Sequence, residues 1–185
     1  KDALVDFIAH EAHHYYRNRN RAYDEGEIRL IDEGLLNGLD QLQIEGVADQ
    51  IDKHERYYRS ASPETSAYAD AFRNHVAESP RILAEVIRRL EQAAEAPNRP
   101  SGILDILPQS GHPTGYFMAR TIIDQGDEPL MIKTVGNPFA FIYLYSRAAA
   151  KNGSSPVFSR KALEYLRGLE LAYCLRGNAY VDLAV

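Results

Sequence analysis

Apolar residues recur at helical spacing through most of this chain, and almost nowhere at the alternating spacing of strands. Residues 3–17 carry Leu4, Val5, Phe7, Ile8, Ala12 and Tyr15 close to a 3.6-residue period, with Asp2 placed to cap them. The polar stretch 18–27 reads as a loop. A second pattern over 28–53 runs through Ile31, Leu35, Leu39, Leu42, Ile44, Val47, Ala48 and Ile51. Gly34 and Gly38 interrupt its first part, so the firm helix is expected to begin near Asp40. Ser62-Pro63-Glu64 and Ser79-Pro80 each read as a cap followed by proline at the first helical position. They predict one helix carrying Ala67, Tyr68, Ala71, Phe72 and Val76, and a separate one over 80–95.

The stretch APNRPSG at 96–102 is the clearest linker. Helices are expected over 114–125, stopped by Gly126, and from Asn137-Pro138 to Ala150, ended by Asn152-Gly153. A last helix over 160–175 is capped by Ser159 and ended by Gly177, and Tyr180 to Leu183 alternate as a short strand would. The expected class is mainly α: one domain over 1–185, with 1–96 and 103–185 as its candidate lobes.

Composition sharpens this picture. With 185 residues, 45% of them hydrophobic, the chain can bury a core without disulfides, and its single cysteine, Cys174, has no partner within the chain. Its apolar helical setting reads as a buried thiol rather than a nucleophile. A net charge of -5 argues against a nucleic-acid partner. No apolar run reaches the ~18 residues of a membrane span, and compartment is left open between cytoplasm and export. The chain opens on Lys1 and a helical pattern follows at once, so the expectation is a fragment or processed form that lacks its natural N-terminus.

One motif carries chemistry. His10-Glu11-Ala12-His13-His14 contains H-E-x-x-H. Residues four apart share a helix face, so His10 and His14 can both aim imidazoles at one cation, while Glu11, about 100° round, reaches a water instead. That is the arrangement of zinc hydrolases, with Glu11 as general base and Zn²⁺ as cofactor. His13 is assigned to the surroundings of the metal or to the surface. A third ligand is needed. Glu45, between Ile44 and Val47, is the best placed; Asp40, Asp52 and Glu33 compete on equal chemical terms, and spacing alone does not separate any of them from a solvated face. Asp49, one turn beyond Glu45, could fix a ligand imidazole through its far nitrogen, and Gly46 would allow close helix approach.

These residues resemble the gluzincin type of zinc metallopeptidase, and more narrowly bacterial families of predicted zinc-dependent peptidases. The likeness rests on HEAHH 10–14, IEGVAD 44–49 and GHPTGYFMA 111–119, and covers roughly residues 1–125. It implies His10, His14 and Glu45 as ligands, Glu11 as base and a peptide or protein as substrate. It also implies a Tyr or His facing the metal to hold an oxyanion, with Tyr116 first and His112 second. The helices would then be the helical part of a zincin-like domain, any sheet being small or upstream. Only nine residues precede His10, and without an edge strand peptide binding would be damaged. Two alternatives come from other classes. A non-catalytic helical binding module would purify without stoichiometric zinc, and a degenerate metallopeptidase would bind zinc without cleaving.

Overall fold

The computed structural model describes residues 3–60, 62–99 and 101–174. Seven helices are found among them: α1 (Ala3–Arg19), α2 (Leu30–His54), α3 (Ala67–Glu95), α4 (His112–Asp124), α5 (Glu128–Lys133), α6 (Pro138–Asn152) and α7 (Arg160–Tyr173). The described residues contain no strand, only an isolated bridge between Tyr23 and Cys174. The fold is mainly α. The expected cap at Asp2, the stop at Gly177 and the tail strand at 180–183 lie outside the described residues.

Helix α2 is the axis. Helices α1, α4 and α6 pack on it, while α3 packs on α4 and α7. Its first half buries Leu35, Leu36, Leu39 and Leu42 in a cluster shared with Leu83, Met118 and Phe141. Contrary to the expected break, α2 is continuous from Leu30. Gly34 and Gly38 are not stops but seats: a Cβ at Gly38 would come within 2.2 Å of the Ile103 side chain. Packing of 101–104 onto that surface outweighs the weak helix propensity of glycine. A π-helical turn, Glu55–Arg59, extends α2.

Two other boundaries differ from expectation. The Ser62-Pro63 signal starts no helix; Glu64 turns back, its amide donating to the Arg56 carbonyl, and Ser66 caps α3 instead. Ser79-Pro80 lies inside α3. Burial of Phe72, Ile82, Leu83 and Val86 on both sides offsets the roughly 3 kcal/mol cost of an interior proline. The Asn137 and Ser159 caps stand as expected, with Gly153 left-handed after α6. Helix α4 begins at His112, two residues early, and α5 was not foreseen.

The largest departure is in α1. Its apolar residues face outward: Leu4, Val5, Phe7 and Ile8 are each more than half exposed. The buried side chains are Asp6, His10 and Arg17. Periodicity marks the apolar face correctly, but here the polar face turns inward, because the surface of α2 opposite is acidic.

Candidate metal centre

Helices α1 and α2 run antiparallel, so His10 meets Asp52, His14 meets Glu45 and Arg17 meets Asp40. Helix α4 crosses α2 at glycine on glycine. A Cβ at Gly46 would lie 2.3 Å from the Gly115 carbonyl, and one at Gly115 would lie 2.3 Å from the Leu42 oxygen. Only two glycines allow this approach. The close helix approach expected at Gly46 is thus between α2 and α4, and it delivers His112 at the start of α4.

Three imidazoles converge on one carboxylate oxygen. The Nε2 atoms of His112, His14 and His10 lie 3.2, 3.6 and 3.8 Å from Oε2 of Glu45. That oxygen is buried and makes no hydrogen bond. Buried carboxylate oxygens are ordinarily satisfied, so an orphan ringed by nitrogens is an anomaly to explain. A divalent cation would explain it: donors about 2.0–2.1 Å from a tetrahedral ion stand about 3.3 Å apart, and the donor atoms of Glu45, Asp49 and His112, like those of His10, Glu11 and His14, lie within 4.8 Å of one another. A set of imidazole and carboxylate donors suits zinc.

Two of the three far nitrogens are held. His10 Nδ1 lies 3.1 Å from Asp52 Oδ1, and His112 Nδ1 lies 3.1 Å from both oxygens of Asp49. In a neutral ring whose Nδ1 hydrogen goes to the carboxylate, Nε2 would turn its lone pair toward Glu45, the tautomer a metal ligand needs. His14 Nδ1 has no such partner. Beneath both carboxylates sits buried Lys53, bonded to Asp49 and 3.5 Å from Asp52. Burial would lower the Lys53 pKa, but Asp49 and Asp52 outweigh it and raise it. Burial would likewise raise Asp52, yet the His10 hydrogen bond and the Lys53 charge hold it below the ordinary value. For His10 burial opposes protonation, and the bond and charge of Asp52 prevail, so its pKa is raised. That of His14 is lowered, chiefly by burial.

Of the residues singled out from sequence, His10, His14, Glu45, His112 and Asp49 are brought together. Glu11 is exposed on α1, with a carboxylate oxygen within 4.8 Å of ring nitrogens of His10 and His14. Tyr116 stands elsewhere: its hydroxyl meets His54 Nδ1 at 2.6 Å, and its ring stacks on Tyr58. His54 is therefore a partner of Tyr116. His13 is half-buried beside His14, its ring centroid 6.2 Å away. Among the competitors for the ligand role, Asp40 is held by Arg17 and Glu33 is exposed. Asp52 and Lys53 were not recognised as supports, although Glu45, Asp49 and Asp52 fall at i, i+4 and i+7, one helix stripe. Cys174 is half-buried, its thiol pushed up to about 12 by burial, which fits an inert group.

No described helix is long and apolar enough to cross a membrane. Residues 1–154 match the model of a protein family described as "Putative zinc dependent peptidase (DUF5700)". The chain belongs to that family. Searches of the curated proteins and of the solved structures find no match.

Proposed function

We propose that the chain, as a member of that family, is a zinc-dependent peptidase whose ion is held by His10, His14 and Glu45, with Glu11 as general base. The observation that carries this reading is the buried, hydrogen-bond-free oxygen of Glu45 facing the Nε2 atoms of the H-E-x-x-H histidines. Zinc, when bound, supplies Lewis acidity, acidifying a water and polarising a carbonyl.

The chain's own residues do the rest. Glu11 lies on the outward side of α1, close enough to His10 and His14 to take a proton from a water at the site. The same carboxyl returns that proton to the amine leaving group. Asp52 holds the His10 ring in one tautomer. Exposed Phe7, Ile8 and Tyr15 are helical neighbours of Glu11 at three or four residues. They surround the base with an apolar rim along which the side chains of a peptide can lie.

Hydrolysis of an unstructured protein substrate tests the reading. Glu11→Gln is expected to retain zinc and lose at least about 10²-fold in turnover, the scale of one general base. Full activity in Glu11→Gln would refute the proposed role of Glu11.

A further inference from the structure

We infer that His112 is a fourth protein ligand, so that the site is a closed set of three imidazoles and one carboxylate rather than an open three-ligand site. This rests on the reading of the site as a metal centre and concerns only how many groups the chain contributes. Of the three Nε2 atoms around Glu45 Oε2, that of His112 is the nearest, at 3.2 Å. Asp49 is placed to take the Nδ1 hydrogen, and the neutral ring would then present the Nε2 lone pair to a carboxylate oxygen that accepts nothing. Two acceptors facing each other at this distance repel unless a cation stands between them. As an oxyanion donor, the role the resemblance suggested for it, His112 would need a hydrogen on Nε2 as well and so a full imidazolium charge. As a ligand it needs none. The His10 and His112 rings are also related alike: near-parallel at 19°, each with a carboxylate behind Nδ1.

The backbone supports a dedicated role. Gln109, Ser110 and Gly111 have φ of 47°, 53° and 97°, three consecutive left-handed residues directly before His112. Two of them, Gln109 and Ser110, carry side chains, for which this region is unfavourable. Strain of this kind persists where the surroundings over-determine it, and it gathers at ligand clamps. Four protein donors would complete the shell of a tetrahedral ion, and a catalytic water would then need a fifth position.

Zinc X-ray absorption on the wild-type, zinc-loaded chain counts imidazoles without any variant. Three are expected, falling to two in His112→Ala. Zinc affinity in His112→Ala is expected to drop by more than the about 10–100-fold that loss of an outer hydrogen bond costs, with 1:1 binding retained. The cobalt-substituted variant should bind azide as a new ligand, and the cobalt-substituted wild type should not. Two imidazoles in the wild type, or affinity in His112→Ala within about threefold of it, overturns the assignment of His112 alone. A wild-type chain that takes up no zinc overturns the metal reading and this inference with it.

Discussion

Within two turns of α1, two carboxylates of α2, buried Asp40 and half-buried Glu45, are met in opposite ways. Asp40 meets the guanidinium of Arg17, which is wholly buried, and Arg21 stands 3.5 Å from its other oxygen. Glu45 meets three imidazoles and, among the described residues, no lysine or arginine. The first contact is complete as folded. Burial draws the Arg17 guanidinium down to about 10, yet it stays charged at neutral pH and fixes the register of α1 against α2. The second gathers imidazole and carboxylate donors of the kind that could hold a divalent cation. One contact builds the fold; the other gathers the groups of the candidate site.

That contrast breaks first at Arg17. Arg17→Ala strands Asp40 and is expected to cost about 3–5 kcal/mol, toward the lower end because Arg21 can move in. The loss should be the same with and without zinc when read by urea unfolding. Asp52→Asn is expected to act only on the other contact. It frees the His10 tautomer and should weaken zinc about 10–100-fold, with little change in metal-free stability. A stability loss equal to that of Arg17→Ala, with zinc affinity intact, would erase the distinction.

The smallest effect concerns His13, whose pKa is drawn down to about 4 by burial, then by the charges of His14, His10 and Arg17. Between pH 6.5 and 4 the unfolded chain takes a proton there that the folded chain refuses. Its contribution to stability is therefore whole above pH 6.5 and is lost as pH falls toward 4. In metal-free protein, His13→Gln should reduce this acid sensitivity by roughly 1–2 kcal/mol once partial exposure is discounted. Parallel melting curves across that range would show His13 to be without effect.

How far these contacts were legible in the sequence differs residue by residue. H-E-x-x-H picks out His10, Glu11 and His14 because all three lie within one helical span, where spacing is geometry. Glu45 stood out only by its apolar neighbours and the family resemblance. The place of His112 depends on the Gly46–Gly115 crossing and on a left-handed turn, neither of which a local pattern encodes. Asp52 was visible as the next position of the Glu45 stripe but was weighed as a rival ligand, not as a support for His10. Hydrophobic periodicity found α1 and misassigned its buried side, since it reports which face is apolar and not which face is covered. Glycine and proline signals misled within α2 and α3 for a related reason: packing partners far along the chain decide whether such residues end a helix or seat a neighbour.

The proposed binding of one divalent cation by Glu45 and the imidazoles around it is decided by the zinc content of protein purified without chelator. One zinc per wild-type chain and none in Glu45→Ala is the expected result. A zinc-free wild type, or a Glu45→Ala protein that retains a full equivalent, would contradict it.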